Sequence, residues 1–265
     1  MDALERVELS AILDFFAAAP RDVADELDLA VLSVDEGAAF SIGADPKPLL
    51  FNRALGLVDS ARLVDVEQWF RSRGSPMVVS VRPGAEFERH LRARSYRRDR
   101  TYVKFRRGVS RAPERETSLR IEAVTPEHAG EFGRVVAAVF GVPEAMARWF
   151  ASLCGRDRWI CFGAFDDDLL VGTGATYIAG EHAWLGVATT VQDARGRGAQ
   201  NAILAARIRA ATEAGAHVLS VETSDRTDGV AGPAFRNVVR AGFQEAYRQQ
   251  WWHPPNAQDG LGGHS

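Results

Sequence analysis

Apolar residues recur at helical spacing through the first eighteen positions, where Leu4, Val7, Ile12, Phe15 and Phe16 predict a helix. Two short strand patterns follow, LAVLSV and AAFSI, and then a Pro-bearing loop, DPKP. The order sharpens after Leu57. DVEQWFRSRG predicts a helix ending at Gly74, PMVVSVRP a strand, AEFERHLRARSY a second helix and TYVKFRR an alternating strand. The stretch 108–118, GVSRAPERETS, is polar and has no apolar period. A first domain over 1–110 and a linker over 111–118 are therefore expected.

A second cycle begins at 119. LRIEAV predicts a strand, PEHAGEFGRVVAAVF a helix with Pro126 in its first turn, and VPEAMARWFASLC another helix. WICFGAFDDDLLVGTGATYI reads as a hairpin turning at DDD, and HAWLGVATTV as a strand. A turn and the helix AQNAILAARIRAATEAG come next. HVLSVET predicts a strand, GPAFRNVVRAGF a short helix and FQEAYRQQWW a final strand. The order is βααβββαβαβ over 119–252. It predicts a second domain over 119–255 and a disordered tail over 256–265.

The chemistry concentrates in VQDARGRGAQ, residues 191–200, between a strand and a helix. A helix N-terminus presents unpaired backbone N–H groups and about half a positive charge. Glycines at 196 and 198 let that backbone close around a phosphate, and Arg195 and Arg197 add two permanent charges. The turn reads as a diphosphate cradle; its bland alternative is an arginine-bearing loop before a surface helix. No G-x-x-x-x-G-K-S/T occurs, and the chain's lysines are Lys47 and Lys104, which argues against a P-loop NTPase. The turn also lacks G-x-G-x-x-G and an acidic residue at ribose distance.

The turn resembles the pyrophosphate-binding turn of the GNAT acyl-CoA transferase superfamily, R/Q-x-x-G-x-G/A. Arg195, Gly198 and the pair between them match it, and Gln200 stands where the family has Gly or Ala. The element order over 119–252 also resembles the GNAT fold. The resemblance implies a mixed-sheet α/β (α+β) fold and acetyl-CoA as cosubstrate, with no metal. It further implies an N-acetyltransferase acting by direct attack of a primary amine on a small molecule or peptide. Backbone groups of Ala188, Thr189 and Thr190 would hold the pantetheine arm and thioester. Gly196, Arg197, Gly198, Ala199, Gln200 and Asn201 would take the pyrophosphate through their N–H groups. The side chains of Thr189 and Thr190 read equally well as plain strand formers.

Glu222 lies seven residues past Gly215, the spacing at which the resemblance implies a strand glutamate, and is the candidate base at the end of a central strand. Its alternative is a strand-end glutamate paired with an arginine. The family's proton-donating tyrosine, four residues before a Gly-Phe, falls on Val238 ahead of Gly242-Phe243, and its asparagine falls on Ala231. Asn237 is adjacent and is read as a CoA contact. Water, Tyr177 or Tyr247 would then supply the proton. A non-catalytic acyl-CoA-binding sensor or scaffold is the second reading of the same residues.

The helix–strand–helix–strand run before 108 parallels the ending of the second domain, RSYRRDRTYVKF against RAGFQEAYRQQWW. Its turn, NRALGLVDSARL, lacks the signature. Two tandem GNAT copies with a degenerate first copy are expected; two unrelated domains sharing an αβαβ order are the alternative.

Composition narrows the partners. The 265 residues carry a net charge of −3 and 46% apolar residues, so a sizeable core is expected and a general nucleic-acid binder is not. The arginines at 92, 94, 97, 98, 100, 106 and 107 have Glu86, Glu88 and Asp99 within or beside them and read as a solvated helix face and strand edge. Cys154 and Cys161 have no companions and read as buried free thiols. The tryptophans at 149, 159, 184, 251 and 252 read as packing, and His182 as a surface residue. No window approaches eighteen uninterrupted apolar residues and the N-terminus is acidic, so a cytoplasmic protein without a membrane partner is expected, as a monomer or an oligomer.

Overall fold

The structure, a computed structural model, describes residues 1–43, 51–84, 86–113, 116–226 and 229–255. The DPKP loop and the 256–265 tail lie outside the described residues. In chain order the elements are α1 (Ala3–Ala17), α2 (Arg21–Glu26), β1 (Leu29–Val34), β2 (Gly37–Ile42), β3 (Arg53–Leu55), α3 (Ser60–Ser72), β4 (Val78–Val81), α4 (Glu86–Ala93) and β5 (Arg97–Arg107). Then come β6 (Arg120–Ala123), α5 (Ala129–Phe140), α6 (Glu144–Ala151), β7 (Trp159–Asp166) and β8 (Leu169–Ala179). The chain finishes with β9 (His182–Thr190), α7 (Ala199–Glu213), β10 (Val218–Ser224), α8 (Pro233–Arg240) and β11 (Gln244–His253).

Two compact units form. One joins Met1–Leu27 to Val103–Tyr247; the other joins Asp28–Tyr102 to the segment that starts at Arg248. These units do not follow a cut at 111–118, because strand partners rather than chain position decide membership. Val103 and Phe105 of β5 are wholly buried in the larger unit, in a core with Leu185, Ile208, Leu219 and Phe235. Trp252 of β11 is buried in the smaller unit with Phe70, Val79 and Leu91.

In the larger unit the strand order is β5-β10-β9-β8-β7-β6. The β9–β10 pair is parallel, and β8–β9, β7–β8 and β6–β7 are antiparallel. The crossover helix α7 buries Ile203, Leu204, Ile208 and Ala211 against the sheet. Helix α1 begins with a capping box, in which the Asp2 carboxylate accepts from the Glu5 N–H at 2.9 Å and the Glu5 side chain accepts from Asp2. Its other end is fastened by aromatics. Phe15 stacks on Trp149 at 4.1 Å, and the Trp149 indole donates to the Phe15 carbonyl at 2.6 Å. Asp14 accepts from Arg156 at 2.6 Å and from the Trp159 indole at 2.8 Å. Helix α2, unread in the sequence because six residues hold less than two turns, buries Val23.

In the smaller unit the order is β1-β2-β3-β4-β11, with β3 and β4 parallel and joined by α3. This repeats the β9–α7–β10 arrangement on a smaller scale. Strand β3 is three residues long, too short to show a period, and α3 starts at Ser60, ahead of the DVEQ pattern.

Candidate functional site

The residues before the turn form a bulge. Thr173 faces Thr189 and Ala175 faces Gly186, so Val187 and Ala188 together oppose Gly174. Val187 takes φ +51°, a conformation that costs a β-branched residue energy and that recurs at functional positions. Pairing of β9 with β10 ends at Leu185 and Val221, so the two strands part where the bulge begins. Ala188 is exposed and Thr190 half-buried, whereas Thr189 is buried with its hydroxyl 2.6 Å from that of Thr173. Val187 was not read from the sequence; a φ sign leaves no trace in composition.

The turn delivers the chain to α7 with two left-handed glycines, Gly196 at φ +81° and Gly198 at φ +87°. Gly198 is the N-cap and makes no side-chain cap hydrogen bond. The first-turn N–H groups of a helix carry the positive end of its dipole. The N-terminus of α3 in the smaller unit differs. There the Asp59 carboxylate caps the helix by accepting from the Ala61 N–H at 2.8 Å.

The two turn arginines part company. Arg195 is exposed and has no ion-pair partner among the described residues. Arg197 makes a two-pronged bond to Asp166, at 2.7 Å for Nη2, and its carbonyl accepts from the Thr117 hydroxyl at 2.8 Å. The Arg197 hydrogen bond holds the Asp166 carboxyl below its ordinary range. Gln200 fits where the family has a small residue because its amide turns back onto β9. It donates to the Thr190 hydroxyl at 2.8 Å and to the Thr189 carbonyl. Ala199 is buried in the core and Asn201 half-buried.

Glu222 pairs with a cation, and the cation is not an arginine. Its carboxylate meets Lys104 of β5, which also donates to Glu8 of α1 at 2.6 Å. Lys104 and Glu8 are buried and Glu222 is half-buried. Burial, reinforced by the neighbouring Glu8 charge, raises the Glu5 carboxyl above its ordinary value. The sequence contained a signal for Lys104: a lysine within the apolar alternation of TYVKF, in a chain whose cations are almost all arginine.

The remaining expectations fall at known places. Val238 is buried in the core with Phe105 and Phe235. Asn237 lies half-buried on α8, with Arg240 at 3.5 Å. Tyr177 is buried against Trp159 and pairs with Trp184, in the half of β9 away from the bulge. An open groove of about 580 Å³ lined by Arg158, Ile160, Ile178 and Ala214 also lies at that far end. His182 is half-buried at the start of β9. Arg92, Arg94 and Arg100 pair with Glu88, Glu67 and Asp99, while Arg107 is buried and bonds the Ala241 carbonyl at the end of α8. Cys161 is a buried thiol pushed well up by its contact with Cys154 and by burial. No described helix is long and apolar enough to cross a membrane.

No family model matches the chain, and no curated protein matches it. Solved structures do. A GCN5-related N-acetyltransferase from Kribbella flavida superposes with a TM-score of 0.66 at 14% identity, over 100% of this chain and 98% of its own. One from Sphaerobacter thermophilus gives 0.61 at 17% identity, over 76% and 70%. The fold is the mixed α/β fold of the GNAT acetyltransferases. A tandem GNAT protein from the clavulanic acid biosynthesis pathway gives 0.61 at 16% identity, over 94% of this chain and 92% of its own.

Proposed function

We propose that the protein is a tandem-GNAT N-acetyltransferase that uses acetyl-CoA and acts on a primary amine of a small molecule or peptide, with the larger unit as the acting copy. The observation that carries this reading is the N-terminus of α7, which has no side-chain cap, is reached through two left-handed glycines and is flanked by Arg195, which has no ion-pair partner among the described residues. It supplies backbone donors and charge for a diphosphate without rearrangement. The residues fit the cosubstrate: the bulge and the parting of β9 from β10 leave backbone groups of Val187 to Thr190 for an extended arm. Bound acetyl-CoA would supply an acyl group activated as a thioester. The N–H groups of the bulge would stabilise charge on the carbonyl oxygen. Glu222, held by Lys104, would accept the amine proton directly or through water. The smaller unit reads as a degenerate copy, since the Asp59 carboxylate caps the N-terminus of α3. A cytoplasmic location and the absence of nucleic-acid and membrane partners belong to the same reading.

Thiol release from acetyl-CoA across a panel of amines tests it: turnover supports the reading, and tight CoA binding with no turnover on any amine removes it. The second reading, an acyl-CoA-binding sensor or scaffold, is favoured by Val238, a buried valine where a proton donor is expected. Glu222→Gln is expected to lower kcat by on the order of 10²-fold while acetyl-CoA affinity holds. An unchanged rate would take Glu222 out of the site.

A further inference from the structure

Arg207 of α7 is 2% exposed, yet no carboxylate pairs with it among the described residues. Its Nη2 donates to the Gly186 carbonyl at 2.9 Å and to the Ala175 carbonyl, and its Nε to the Thr176 hydroxyl at 3.2 Å. Ala175 and Gly186 are the register partners at the edge of the bulge, one on each strand. Burial lowers the guanidinium to about 9, which leaves it charged at neutral pH, and the Cys161 thiol is the titratable group nearest in effect. A buried cation without a counter-ion is costly, and apolar residues would fill the same space without that cost. The chain also makes room for it. A Cβ on Gly174 would come within 2.7 Å of the Ile203 Cγ2 and 2.9 Å of the Arg207 Cδ. A charge kept at this expense, with both carbonyl bonds at the edge of one irregularity of the sheet, calls for a role at that irregularity.

We propose that Arg207 is a positioning residue for acyl transfer. By gripping a carbonyl on each side it fixes the bulge that presents the N–H groups of Val187 and Ala188 to the acyl oxygen, and it places a permanent positive charge beneath them. Nη2 bonds both carbonyls while the coplanar Nε holds the Thr176 hydroxyl, a fixed planar set of donors that a lysine does not reproduce. This inference rests on the acetyltransferase reading above and goes beyond it, because α7 otherwise serves only the diphosphate.

The test uses the full-length protein with Arg207→Met and Arg207→Lys, each first checked for a cooperative thermal transition. Arg207→Met is expected to lower kcat on the order of 10- to 100-fold, with the KM for acetyl-CoA changed less than about 3-fold. Arg207→Lys, which keeps the charge and loses the fork, should recover part of the rate. Calorimetric affinities for acetyl-CoA and for CoA give a readout that needs no turnover. The wild type should prefer acetyl-CoA, and Arg207→Met should erase that preference while CoA itself binds as before. A folded Arg207→Met with unchanged kcat and an unchanged acetyl-CoA preference overturns the inference and leaves the acetyltransferase reading standing. Should Arg207→Met fail to fold, the Lys variant decides: wild-type kcat and preference there overturn the role given to the fork. A wild type that binds neither acetyl-CoA nor CoA overturns the reading and the inference together.

Discussion

Arg195 and Arg197 carry the same charge two residues apart, and their surroundings give them different work. Arg197 binds Asp166 with its guanidinium, so it braces the turn, whereas Arg195 stands exposed with no ion-pair partner among the described residues. Arg195→Ala is therefore expected to weaken acetyl-CoA binding by about 3- to 10-fold, with the loss shrinking as salt rises. Arg197→Ala should act mainly on the turn and lower the thermal midpoint. Calorimetry at two salt concentrations distinguishes the two. The turn itself was legible because glycine and arginine at fixed spacing carry their meaning locally. Lys104 and Arg207 were not read, although each left a mark. Arg207 lies within the apolar stripe of α7, between Ile203 and Ala211, where a charge has no solvent to face.

At the scale of elements, α1 shows how a helix read from its spacing acquires a role that spacing does not contain. Its periodicity predicted the helix, but its place depends on Phe15, Asp14 and Glu8 meeting partners far along the chain. Phe15→Ala is expected to cost about 3–5 kcal/mol, read from urea unfolding, because a stacked and buried ring leaves a cavity. Asp14 gives a pH dependence. Burial alone would raise its carboxyl, but the hydrogen bonds from Arg156 and Trp159 outweigh that and lower it below the ordinary 3.8. Its folded value is depressed, so its stabilisation is present above the ordinary value and is lost as pH falls through the folded one. The wild type should lose stability in that acid window, and Asp14→Asn should be less stable at neutral pH with a flatter profile there. At α3, Asp59→Ala should cost about 1 kcal/mol by removing the cap, a contrast with α7, where Gly198 provides none.

For the whole molecule, the two units are woven from non-adjacent stretches. A fragment covering only 119–255 keeps the diphosphate turn but lacks α1 and the Val103–Arg107 part of β5, which supplies Val103, Lys104 and Phe105 to the larger unit. It is expected to fail to give a cooperative thermal transition, while the intact chain gives one. A stable, acetyl-CoA-binding fragment would show that the linker at 111–118 is a true domain boundary after all. Local signals determined most of the elements, the order βααβββαβαβ, the turn at 191–200 and the family resemblance, because periodicity, glycine and capping act over a few residues. The tertiary structure alone decided that Glu222 faces Lys104 and Glu8, that Val187 takes a left-handed conformation, that Arg207 grips the bulge, and that β5 and β11 divide between units. Those facts depend on which strands pair and which face a side chain takes, and long-range pairing leaves no local mark for a sequence to show.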